Sequence, residues 1–302
     1  VRGIRWEGLR ESWQAIRWLP WGLIIGLRFV VIATRAWRWQ VLLRHTPSCP
    51  TVGQLTRVLV KAELFNTIMP STAGGDIYRV VATRSACGTP SATAAVLADR
   101  AVGMIVLVLA TLAAAFASPW VRQSSLGQIV IAVAVMVILA VCLLWVGRRR
   151  VGNWLKSRAE GEEDSDPKPV IAHILDYACA LGGYARRPRQ LILALILSVL
   201  PVAAVVVVMY LLCLSVGAMP GAGDLITVAL TITVIALLPV FVGGLGGWEA
   251  AAIFMFQQVG VSSSAAVLIA VLGRAVGVVV VLGAGLLYLY DSTRSPASAS
   301  DD

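Results

Sequence analysis

Stretches of about 20 or more residues with hardly a charge recur along this chain, and that is the length needed to cross the hydrocarbon core of a bilayer. They run from about 18 to 43, 91 to 117, 126 to 146, 191 to 216 and 263 to 290. With 58% hydrophobic and 14% charged residues and a mean hydropathy of +0.83, the chain reads as an all-α polytopic helical membrane protein. A soluble globular fold does not fit this composition. A transmembrane β-barrel would show short alternating segments, and these runs are continuous.

Two places interrupt the pattern in the same way. Asn66 to Arg79 holds Pro70, Gly74, Gly75, Asp76 and Arg79; Pro239 to Glu249 holds Pro239, Gly243, Gly244, Gly246, Gly247, Trp248 and Glu249. Each reads proline, three residues, Gly-Gly, then a carboxylate. Proline stops a helix and paired glycines let the backbone turn. Broken backbone at membrane depth is tolerated only where it is buried in protein or lines a watery cavity. The spacing therefore predicts the tips of two re-entrant helical hairpins, over 52–87 and 224–260. The helix at 52–67, interrupted by Arg57, Lys61 and Glu63, is too short and too charged for a lipid-facing span. Corresponding breaks in two halves of a membrane protein point to a binding site. Close helix packing is the plainer reading of the glycines, but two Gly-Gly breaks after proline exceed what packing needs.

The halves resemble each other further. Arg100 to Gly103 reads Arg-Ala-Val-Gly and recurs at Arg274 to Gly277, each preceded by Ala-Ala-Val-Leu, at Ala94 to Leu97 and Ala265 to Leu268. The polar stretch 147–189 holds nine Lys/Arg, whereas the connections near 118–125 and 217–223 together hold only Arg122. The positive-inside rule puts 147–189, and with it the C-terminus, in the cytoplasm. The first hairpin then enters from the cytoplasm and the second from outside, an inverted-repeat arrangement. The expected organisation is a single transmembrane domain over 1–302. It comprises a helix at 1–17, a first half over 18–146 with hairpin 52–87, the loop 147–189, a second half over 190–290 with hairpin 224–260, and a polar tail over 291–302. Trp6, Leu9, Trp13 and Ile16 suit the first helix to the membrane interface; an ordinary connecting helix is the alternative. The chain opens on Val1 rather than Met, which fits a fragment lacking an upstream helix, and its first 17 residues are too charged for a cleavable signal peptide.

An ionisable group in hydrocarbon costs at least about 2.5 to 3.5 kcal/mol, so each needs a partner or a cavity. Asp76, Arg79, Arg100, Glu249 and Arg274 read as the lining of a polar path. Arginine meets phosphate with a bidentate fork, which favours Arg79, Arg100 and Arg274 as phosphate contacts. Asp76 or Glu249 would bind a cationic headgroup or hold an arginine in place. The alternative is internal salt bridges that lock the hairpins, such as Asp76 with Arg79 or Arg100. For Asp99-Arg100, near a helix start, snorkelling is the competing reading. Lys61 and Glu63 are assigned a lining role at most, and Tyr288 and Tyr290 read as interface anchors. The arginines and tryptophans between Arg35 and Arg44 mark a membrane–water boundary. The net charge of +9 sits in loops beside apolar helices, which argues against nucleic acid and suits anionic headgroups at the cytoplasmic face. The five cysteines and two histidines, His45 and His173, show no disulfide framework and no metal-ligand spacing. No metal, other cofactor or catalytic residue is expected.

Pro70 to Arg79 resembles the Pro-x3-Gly-Gly-Asp-x2-Arg signature of the lysylphosphatidylglycerol synthase transmembrane region, the flippase-like family. Arg35 to Arg44 resembles that family's Arg-Trp-x2-Leu-Leu helix end. Pro239 to Glu249 is similar to its second glycine-rich signature, with Trp248 where an arginine is usual. The resemblance covers about residues 20 to 290. It implies a multi-pass plasma-membrane protein that moves an anionic phospholipid or a polyprenyl-linked headgroup between leaflets. In two-domain relatives a separate cytosolic domain attaches the amino acid; here the membrane region takes up the 302 residues, so translocation is expected rather than aminoacyl transfer. No Gly-x4-Gly-Lys-Ser/Thr motif is present, so movement would be downhill or coupled to an ion gradient. Two other readings stay open: an intramembrane transferase with Asp76 or Glu249 as general base, and a non-transporting membrane partner of a glycosyltransferase or lipid synthase. A homo-oligomer or a partner enzyme also stays open.

Overall fold

A computed structural model describes residues 18–46, 48–68, 73–117, 182–184, 186–237 and 246–294, with isolated positions at 128, 131, 132 and 135. The helix at 1–17, nearly all of the run at 126–146, most of the loop 147–189, the tail from 295 and the tip residues Pro70, Pro239, Gly243 and Gly244 lie outside the described residues. Within them the regular elements are α1 (Trp18–Leu43), α2 (Val52–Ile68), α3 (Ala73–Cys87), α4 (Thr89–Ala117), α5 (Pro188–Val216), α6 (Ala222–Leu237), α7 (Gly247–Gln258) and α8 (Ser263–Arg294).

α1, α4, α5 and α8 are long and apolar enough to cross a membrane, as four of the five apolar runs predict. At ~1.5 Å rise per residue they exceed the ~30 Å hydrocarbon core, while α2, α3, α6 and α7 fall short of it at about 18–26 Å. Their apolar side chains are not gathered inside. In α5 only 17% of the apolar stretch is buried, and Phe29, Ile196, Leu282, Leu286 and Leu289 turn more than half of their surface outward. Water would penalise such a surface; lipid does not, since it asks only that backbone polar groups be satisfied within the helices. The protein is an all-α, multi-pass membrane protein.

The chain forms two compact units: unit 1 takes 1–33, 56–79 and 204–302, and unit 2 takes 34–55 and 80–203. Unit 1 is built around Ile24, Leu59, Leu212, Val228, Ile232, Phe256, Leu268 and Ile269. Unit 2 buries Trp39, Leu42, Leu43, Leu55, Ala95, Val108 and Ala194.

In unit 1, α2 and α3 fold back on one another. The Gly75 N–H donates to Asn66 Oδ1 at 2.8 Å, and the Phe65 and Tyr78 rings stack at 4.5 Å. A Cβ on Gly75 would stand 2.5 Å from Asn66 Oδ1 and 2.7 Å from the Ala62 carbonyl, so glycine is what lets the helices approach this closely. α6 and α7 also pack together, and α7 packs on α8. The turn before α6 (Gly217 to Pro220) and the turn after α7 (Val259 to Ser262) line one cavity of about 320 Å³. The α6–α7 pair therefore returns to the end at which it started. In unit 2, Cys49 precedes α2 and Cys87 ends α3. Burial raises the Cys87 thiol above its ordinary pKa. Thr51 and Gln54 start α2 with a reciprocal capping box: the Gln54 amide donates to Thr51 Oγ1 at 3.3 Å and the Thr51 amide to Gln54 Oε1 at 2.9 Å.

Candidate functional site

Four of the five charged residues expected along a polar path, Asp76, Arg79, Glu249 and Arg274, belong to unit 1; Arg100, half-buried on α4, belongs to unit 2. The four form two pairs. Arg79 Nη1 donates to Asp76 Oδ1 at 3.3 Å, one turn earlier on α3, and Arg79 is only 3% exposed. This is one of the two internal bridges weighed for Asp76. Glu249 has a partner for each oxygen: Oε1 accepts from Arg274 Nε on α8, and Oε2 accepts from the Gly246 N–H at 3.1 Å. The sequence sets this up locally. Gly246 has φ 84°, a left-handed conformation that favours glycine. It opens α7 so that Glu249, three residues on, reaches back to an amide with no helical partner.

Trp248 is seated beside this pair. A Cβ on Gly273 would stand 2.4 Å from Trp248 Cη2 and 3.4 Å from Leu212 Cδ1. Gly273 is thus a notch that admits the indole against the α8 backbone. Two consecutive residues of α7 engage two consecutive residues of α8: Trp248 fills the notch and Glu249 holds Arg274. Gly74, Gly75 and Gly247 are buried and Gly246 is exposed.

A third pair in unit 1 was not anticipated. Lys61 Nζ lies 2.6 Å from Asp291 Oδ2 and 5.8 Å from the centre of the Tyr288 ring. Phe65 meets Tyr288 edge-on at 6.0 Å as well as stacking on Tyr78. Tyr288 is therefore part of an aromatic cluster around an ion pair, in addition to any anchoring role. The available signal was the spacing of Lys61 and Phe65 on α2 and of Tyr288 and Asp291 on α8, each of which puts two side chains on one helix face.

In unit 2, three helices meet at a guanidinium. Arg38 Nε of α1 donates to Asp99 Oδ1 of α4 at 2.6 Å, and Nη1 donates to Ser198 Oγ of α5 at 2.8 Å. The Ser198 hydroxyl donates in turn to the Ala194 carbonyl at 2.8 Å. A Cβ on Gly103 would come 3.1 Å from Arg38 Nη1, so the glycine of the first Arg-Ala-Val-Gly repeat makes room for the guanidinium. Arg38 and Asp99 are 5% and 2% exposed. Arg38 is thus a buried partner, and Asp99 is paired internally. At the end of α1, His45 Nδ1–H and the Tyr184 hydroxyl both donate to the Leu42 carbonyl, at 2.9 Å and 3.1 Å. Their rings meet edge-on at 5.5 Å. Burial first, then the Arg187 charge, lowers the His45 pKa; burial raises that of Tyr184.

The pairs, the fold-backs and the spans are parts of a describable group of proteins. The family model for the lysylphosphatidylglycerol synthase TM region matches residues 1–285. The chain belongs to that family. A comparison with curated proteins finds no match. The lysylphosphatidylglycerol synthase TM match takes in both fold-backs and the pairs Asp76–Arg79 and Glu249–Arg274, and it ties the protein to lipid synthesis or translocation in a membrane. Tyr288 and Asp291 lie beyond its end.

Proposed function

We propose that this protein moves a phospholipid or lipid-linked headgroup between leaflets along a polar path formed by two helical hairpins that dip into the bilayer from opposite faces. The acyl chains stay in lipid. One observation carries the reading: each fold-back is made of helices too short to cross, and each places a carboxylate on an arginine within unit 1, Asp76 on Arg79 of the same helix and Glu249 on Arg274 of α8. Irregular backbone and ionisable groups at membrane depth belong where a path or a cavity needs them, and an arginine fork is suited to a phosphate. Residues 1–302 act as a single transmembrane domain of the plasma membrane, with 147–189 and the C-terminus in the cytoplasm.

The test is a liposome assay with the purified chain and an acyl-labelled anionic phospholipid whose outer-leaflet fluorescence is quenched chemically. The wild type should bring label from the inner leaflet to the quencher faster than protein-free vesicles, and Arg274→Gln should slow it. Chemical conversion of the lipid would favour an intramembrane transferase instead. Neither movement nor conversion would remove translocation and leave a partner of a glycosyltransferase or lipid synthase.

A further inference from the structure

In unit 1 the 56–79 part of the α2–α3 fold-back and the whole α6–α7 fold-back are both fastened to α8, and they are fastened differently. At one place α7 lies close on α8, with the Trp248 indole in the Gly273 notch and Glu249 on Arg274. Asp291 follows Arg274 on the same helix by a distance of about 25 Å at ~1.5 Å per residue. There the α2–α3 pair meets α8 through long side chains: Lys61 to Asp291, and Lys61 and Phe65 to Tyr288. Within unit 1 the 56–79 part of the α2–α3 pair is itself tied together by the Asn66–Gly75 hydrogen bond and the Phe65–Tyr78 stack, so these two helix segments would move together. Contacts made by long side chains release by rotation about their own bonds. An indole seated against a backbone leaves only when the helices part, and close-packed interiors resist that.

We propose that the Lys61–Asp291 pair, walled by Phe65, Tyr78 and Tyr288, is a clasp that holds the α2–α3 hairpin closed on α8, and that its release opens the headgroup path at that end while α7 stays fixed to α8. The consequence for transport rests on the translocation reading above; the clasp rests on the contacts alone. A lipid phosphate reaching Lys61 competes with Asp291 for the ammonium, so it binds the released state better than the closed one, which is the requirement for a ligand to shift such an equilibrium.

Two measurements decide this. In nanodiscs, Asp291→Asn and Lys61→Gln should each speed hydrogen exchange over 56–79 and leave 247–258 unchanged, and the swapped Lys61→Asp/Asp291→Lys chain should restore protection. Unchanged exchange in both single variants overturns the clasp, whether or not the protein moves lipid. In a background with the native cysteines replaced, Lys61→Cys/Asp291→Cys bridged by a short bis-maleimide should lose translocation, with each single-cysteine variant treated alike keeping it. A bridged protein that moves lipid at the unbridged rate overturns the gating role and leaves translocation standing. A wild type that moves no lipid overturns translocation and gating together, and the exchange result still decides the clasp.

Discussion

Arg38 shows what a charge does when its own helix gives it no way out to water. Asp99 and Ser198 come to it from α4 and α5, 61 and 160 positions away in sequence, and together they hold it buried. Breaking such a pair leaves an uncompensated charge, so Arg38→Met or Asp99→Ala should each lower stability by about 3–5 kcal/mol. Arg38→Met/Asp99→Leu, which removes both charges, should cost less than either single change; unfolding in detergent, followed by loss of helical circular dichroism, measures all three. His45 makes a second prediction, this one on acidity. Burial, aided by Arg187, holds its folded-state pKa below the ordinary 6.5, so below that pH the unfolded chain takes up protons that the folded chain resists. Stability should therefore fall as pH drops through about 6.5 and level off once the folded-state pKa is passed. His45→Gln should flatten the melting temperature between about pH 7.5 and 5.

Gly75 governs the fit of α2 against α3. A Cβ there meets both the Asn66 side chain and the Ala62 carbonyl, and only the first can swing away. Gly75→Ala should destabilise by about 1–3 kcal/mol through overpacking, and Asn66→Ala in the same chain should relieve only part of the loss. Gly53, on α2 with open space around it, is the control: Gly53→Ala should be neutral or stabilise by up to about 1 kcal/mol from helix propensity. Melting temperatures of the four chains separate these outcomes. The elements themselves were readable from sequence because each signal is local. An apolar run of span length reports the membrane directly; Gly74 and Gly75, expected at a hairpin tip, lie instead inside α3, where Gly75 serves the packing on α2. Partner choice was not readable to the same degree. Glu249 and Arg274 were visible as charges, but that Glu249 would divide its oxygens between Arg274 and the Gly246 amide depends on how α7 lands on α8. Lys61 found Asp291, and Arg38 found Asp99, because of which helix faces meet, and no single helix encodes that.

For the molecule as a whole, the arrangement makes a directional prediction. If the path is built from hairpins entering from opposite faces, the turn after α7 faces outward while the loop 147–189 and the tail face the cytoplasm. Ser262→Cys should react with an impermeant maleimide on intact cells, and Ser165→Cys and Ser298→Cys only after the membrane is opened; labelling of all three from one side contradicts the inverted arrangement. The 16 and 12 residues of α6 and α7 carry one more consequence. Flanked in sequence by helices of 29 and 32 residues, they are too short to cross a bilayer on their own, and where their outward side chains Ile226 and Phe254 meet lipid the bilayer would have to thin. Such thinning would shorten the crossing for a polar headgroup, at a cost of a fraction of a kcal/mol for each ångström of added thickness. Vesicles made from progressively longer fatty acids should therefore slow this protein, even when every headgroup is the same.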